Sequence, residues 1–152
     1  MGRLLLFNMN IIQQKAKRFI KATSNLEQIV EQICRKLEHV IIDMNTSQLR
    51  DKGIDSDSVA LPLPYAPMTI AYKLAEGQPI NKITLYDGGD FQDKFYVKYT
   101  SQQFSLWSTD GKTEKLVKEW GKNIFGLTDN NLSLLIQKDI KPMLLTEIRK
   151  RL

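Results

Sequence analysis

The sequence predicts an α+β fold: a long amphipathic N-terminal helix packed on a small antiparallel β-sheet, with short C-terminal helices. Three observations support this. Apolar residues recur at spacings of three and four from Leu26 to Met44, alternate with polar ones from Phe95 to Trp107, and return to helical spacing after Thr113. The strands fall in one block instead of alternating with helices, so a parallel sheet is not expected. At 152 residues, 42% hydrophobic and 26% charged, the chain is long enough for one compact body with a real core.

Residues 1–23 read as a basic extension ahead of a single domain over 24–152. The apolar run Leu4 to Phe7 is broken by Asn8 and Asn10 and lacks a small-residue cleavage site, which argues against a signal peptide. No stretch approaches the roughly 18 apolar residues that span a bilayer. Gln13 to Lys21 sets Lys15, Lys17, Arg18 and Lys21 among Ala16, Phe19 and Ile20. Such a segment is either a solvated basic face or an arm toward DNA or an acidic partner.

Ser24 and Glu27 have capping-box spacing. Ile29, Val30, Ile33, Leu37, Val40, Ile41 and Met44 then continue one stripe, predicting a helix over 25–50 that stops at Asp51-Lys52-Gly53. Cys34 lies beside the stripe and reads as a small core residue. As the only cysteine it forms no internal disulfide, which suits synthesis in a reducing cytoplasm.

From Gly53 to Pro79 the periodicity fails among Pro62, Pro64, Pro67, Gly77 and Pro79, predicting an extended loop over 53–80. Tyr65, Met68, Ile70 and Tyr72 give that loop apolar anchors, as expected if a partner subunit orders it. Ile83 to Tyr86, a Gly88-Gly89 turn, Phe91, and Phe95 to Tyr99 predict strands. After Ser101-Gln102, Phe104 to Trp107 completes the sheet. Helices follow over Thr113 to Trp120, after a Thr128 or Asp129 cap, and over Ile140 to Leu152 with Pro142 in the first turn.

Catalytic chemistry finds little support. With one histidine, His39, and one cysteine, the common zinc sites cannot be assembled from this chain alone, and a Ser/His/Asp triad would depend on a mid-helix residue. Asp87, Asp90 and Asp93 lack EF-hand spacing and read as a structured turn rather than a calcium or magnesium site. Gly88-Gly89 matches no phosphate-binding loop. No catalytic residue, cofactor or metal is expected.

The stretch from Gly53 to Leu127 resembles the small neck, head-tail joining and tail-completion proteins of tailed phages, the virion-morphogenesis proteins, in the form found in phages of Bacteroides-like hosts. The residues carrying the resemblance are Gly53-Ile54-Asp55, Tyr65, Thr69, Lys73, Gly77-Gln78-Pro79, Ile83-Thr84-Leu85 and Gly89-Asp90-Phe91. They continue with Phe95-Tyr96-Val97, Phe104, Ser108-Thr109-Asp110, Leu116, Gly121 and Ile124-Phe125-Gly126-Leu127-Thr128. Gly88 stands where the family pattern has Thr, and the basic extension before Ser24 does not align.

The resemblance implies a non-enzymatic structural protein of the virion, made in the host bacterial cytoplasm and located at the head-tail junction. It would act as a neck or adaptor subunit or as a tail terminator. It implies a homo-oligomeric ring, six- or twelvefold, meeting portal, adaptor or tail-tube proteins, with packaged DNA as a further candidate contact and no membrane contact. Tyr65, Met68, Ile70, Tyr72, Phe91 and Trp107 are then candidate subunit-interface residues. Lys15, Lys17, Arg18, Lys21, Arg149, Lys150 and Arg151 are candidates to face the channel or an acidic neighbour. The alternative is a small basic nucleic-acid-binding accessory protein of a phage or mobile element, using the same basic arm and the sheet aromatics. A magnesium-dependent hydrolase or nuclease using the three aspartates stands further off.

Overall fold

A computed structural model describes residues 2–100 and 103–152, with side chains from Ile11 onward. Its elements run α1 (Gly2–Thr23), α2 (Leu26–Lys36), α3 (Glu38–Ser47), α4 (Pro67–Ala75), α5 (Asp90–Asp93), β1 (Phe95–Tyr99), β2 (Phe104–Ser108), α6 (Thr113–Trp120), α7 (Asp129–Leu135) and α8 (Lys141–Arg151). The protein is α+β, with helices around a two-stranded antiparallel sheet.

The helix expected over 25–50 is two helices. At Leu37 the backbone turns to φ −96°, ψ 11°, and its N–H is shared between the carbonyls of Ile33 and Cys34. There Glu38 reaches the sheet, accepting from Val97 N at 3.4 Å and from the Tyr99 hydroxyl at 3.3 Å. A wide π turn, Gln48–Lys52, closes α3, and Gly53 ends it in the left-handed conformation at φ 65°. The Ser24 cap is not formed. Helix α1 runs to Thr23, which leaves Ser24 at its C-terminal end, where the hydroxyl donates to Lys21 O at 2.8 Å.

The 53–80 segment is not wholly extended. Pro67 supplies the first turn of α4, where its missing N–H costs nothing. Before it, Asp55 Oδ1 accepts from the backbone N–H groups of Asp57 and Val59, both at 2.9 Å, forming a tight side-chain-closed turn.

Strands β1 and β2 pair with Phe95 opposite Ser108 and Tyr99 opposite Phe104; the connecting Ser101-Gln102 lies outside the described residues. Phe95, Val97 and Leu106 face inward and join Ile29, Ile33, Ile41, Ile83, Ile124 and Leu135 in the core. Phe91, Phe95, Phe125 and Trp107 form a connected aromatic cluster with ring centroids 4.9 to 5.9 Å apart.

Residues 83–86 form no strand, because side chains take the hydrogen-bonding groups that a ladder would use. Thr84 N donates to the Tyr65 hydroxyl at 2.9 Å, Gln92 Nε2 donates to Thr84 O at 2.9 Å, and Lys73 Nζ donates to Tyr86 O at 2.6 Å. Phe91 stands in the short helix α5, not in a strand. At the C-terminus α7 and α8 run on through the π turn Ile136–Ile140, just ahead of Pro142. A proline ring clashes with the carbonyl four residues back, and the widened turn relieves that clash.

Candidate functional site

An apolar groove of about 1050 Å³ opens beside the sheet. Leu26, Val30 and Cys34 of α2 form one wall. All of β2 except Ser108 forms the second, with Phe104, Leu106 and Trp107. Phe125, Leu132, Ile136 and Ile140 close the third. Trp107 leans over Phe125 with centroids 4.9 Å apart. The charged lining residues are Glu27 and Glu31 of α2, Lys98 of β1, and Lys122.

The groove is a packing surface with little chemistry in it. Burial, and secondarily the Glu31 carboxylate, raise the Cys34 thiol above its ordinary pKa, which disfavours the thiolate a nucleophile needs. The Tyr99 hydroxyl donates toward Cys34 O at 3.1 Å and Glu38 Oε2 at 3.3 Å. Desolvation and then the Glu38 charge raise its pKa well above the tyrosine norm. His39 is exposed on α3.

A second cavity of about 480 Å³ lies between α4 and α6, where Tyr65, Met68 and Tyr72 approach Trp120. Asp87, beside the Tyr72 phenol, raises its pKa. Asp87, Asp90 and Asp93 are exposed, and no group of three or more metal-ligating side chains converges among the described residues.

The six interface candidates part company. Met68 and Tyr72 are open to solvent, at 86% and 47% exposure, and Ile70 is half-buried. Trp107 is half-buried in the groove wall. Tyr65 holds the fold, since its hydroxyl accepts from Thr84 N and its ring lies under the Lys73 ammonium. Phe91 is 6% exposed, packs edge-on to Phe95 at 5.0 Å, and lines the second cavity. Lys15, Lys17, Arg18, Lys21, Arg149, Lys150 and Arg151 are all exposed.

Sequence reasoning passed over the buried polar residues Asn45, Gln48, Lys73 and Gln92. Asn45 Nδ2 donates to Ile124 O at 3.2 Å; Gln48 Oε1 accepts from Thr128 N and Asn131 Nδ2, both at 2.9 Å. Lys73 Nζ donates to Gln78 Oε1 at 2.8 Å, besides Tyr86 O and Thr84 Oγ1. The signal was present. Asn45 and Gln48 continue the Leu37, Ile41 stripe at helical spacing, where a polar side chain must find an internal partner.

Charge is also more segregated than a view of basic clusters at both ends suggests. Residues 1–23 hold five of the 22 basic residues and none of the 17 acidic ones, so the whole net charge of +5 resides there. Within them, every residue from Ile11 to Lys21 is exposed. Among the described residues no helix is long and apolar enough to cross a membrane. Comparison with protein-family models, curated proteins and solved structures returned no match to this chain.

Proposed function

We propose that this protein is a structural subunit of a tailed-phage virion, acting at the head-tail junction as a neck, adaptor or tail-completion component of a ring. The observation that carries the reading is the apolar surface left open: the groove lined by β2, and the face of α4 where Met68 and Tyr72, one turn apart, are 86% and 47% exposed. Contiguous apolar surface of this kind marks sites of protein association. The ordered resemblance of residues 53–127 to phage neck proteins directs the reading to this assembly.

The test is the solution mass of the purified chain by light scattering, alone and mixed with the portal and tail proteins encoded beside it. A discrete ring or a defined complex with either partner is expected. A chain that stays single and ignores both overturns the reading.

One observation favours the second reading, a nucleic-acid-binding accessory protein: the concentration of all net positive charge in residues 1–23, where Lys15, Lys17, Arg18 and Lys21 are exposed. That reading requires an affinity for DNA that falls steeply with salt.

A further inference from the structure

Helix α1 and the large groove are each incomplete, in complementary ways. Ile12, Ala16, Phe19 and Ile20 stand at i, i+4, i+7 and i+8, one stripe of a helix, and Ile12, Phe19 and Ile20 are 66%, 55% and 66% exposed. Between Ile11 and Thr23, Ala22 is the only buried residue of α1. Most helical stability in proteins comes from burying an apolar face, and from Ile11 to Lys21 that face of α1 is left exposed. The groove offers such a face unfilled. At about 1050 Å³ it lies at the top of the range for small-ligand pockets, and it is lined by Lys98 and Tyr99 of β1 as well as by β2.

We infer that α1 of one copy seats its Ile12, Phe19 and Ile20 stripe in the groove of a second copy, as a helix-in-groove contact. The inference deepens the ring proposed above and rests on it, by naming the contact between neighbouring subunits. The arrangement is heterologous, with helix on one side and groove on the other, and such contacts close into rings when the rotation between subunits permits. The charged lining is balanced, Glu27 and Glu31 against Lys98 and Lys122, with Glu31 already paired to Arg35 at 2.8 Å, so the contact rests on its apolar stripe and not on net charge. The helix of the same chain is not the occupant. Only Ser24 and Asn25 separate it from Leu26 at the groove's margin, and it lies against α8 instead.

Two full-chain experiments test this. With Cys34→Ala removing the only native thiol, Phe19→Cys is placed in one preparation and Ser105→Cys, exposed on the groove wall, in another. A short bismaleimide is expected to give a linked dimer in the mixture well above that in either preparation alone. A third preparation carries both cysteines in one chain; linkage within that chain, with no linked dimer in the mixture, overturns the inference in favour of the chain's own helix. Separately, Phe19→Asp with Ile20→Asp, or Leu132→Asp with Ile136→Asp in the groove, should each weaken self-association by roughly tenfold or more while circular dichroism is unchanged. If both pairs leave the oligomer intact, the contact lies elsewhere and the ring reading survives. An unmodified chain that stays single, alone and with its portal and tail partners, removes both.

Discussion

Gln48 illustrates how single buried side chains hold distant parts of this fold. Its amide joins the end of α3 to Gly126, Thr128 and Asn131, some eighty positions further along the chain. Gln48→Leu strands the Thr128 N–H and the Gly126 carbonyl, and each buried unsatisfied group costs about 1–3 kcal/mol. We expect a loss of about 2–4 kcal/mol, seen as a lower urea midpoint at unchanged slope, whereas Gln28→Leu on the exposed face of α2 should move it little. Tyr99 makes a pH-dependent counterpart. Its pKa is raised in the folded protein by desolvation first and by Glu38 second, so the folded state holds the phenol proton more tightly than the unfolded state does. That contribution is complete below the ordinary tyrosine value near 10 and fades as pH rises through the higher folded value. Lys94, raised by its 2.8 Å bond to Asp110, also loses stabilisation in the alkaline range. The readout is therefore the difference between Tyr99→Phe and the unmodified chain: urea midpoints measured from about pH 8 to about pH 11 should fall less steeply for the variant.

Among the elements, Gly53 and Gly77 provide a controlled pair. Both have left-handed φ, at 65° and 66°, but a Cβ on Gly53 would lie 2.9 Å from Ile83 O and 3.0 Å from Lys82 Cβ, while one on Gly77 meets nothing within 4 Å. Gly77→Ala should therefore cost only the backbone term, about 1–2 kcal/mol. Gly53→Ala should cost clearly more, because the α3 terminus and the Ile83 segment must move apart; thermal unfolding of the two variants measures the difference. The same junction explains which elements were legible in the sequence. The strands 95–99 and 104–108, helix 113–120 and the Thr128 cap, which accepts from Asn131 N at 3.2 Å, follow from local pattern and are found. Helix α4 was hidden because Pro62, Pro64 and Pro67 read as loop residues, although the last of them is also a good helix start. Residues 83–86 have strand composition, yet Tyr65, Lys73 and Gln92 claim their backbone groups, and only the tertiary fold brings those side chains there.

At the scale of the whole molecule, the basic arm was visible in composition, whereas the groove was not: Leu26, Tyr99, Trp107, Phe125 and Ile136 come from segments far apart in the chain, and no local periodicity announces their meeting. The segregation of charge into residues 1–23 bears on how the molecule associates. If the lysines and arginine of α1 drive association, attraction must weaken as the screening length falls from about 10 Å at 0.1 M salt to about 3 Å at 1 M. If the Ile12, Phe19 and Ile20 stripe drives it, burial of apolar surface is indifferent to that screening. We expect the light-scattering mass to hold across this salt range, and the variant with Lys15, Lys17, Arg18 and Lys21 all changed to Gln to keep it. The same four changes should remove whatever DNA affinity the chain has at low salt, because four phosphate contacts contribute a slope of about −3.6 in log affinity against log salt on duplex DNA. Loss of the oligomer in that variant, with its fold intact by circular dichroism, would assign assembly to charge and not to the apolar stripe.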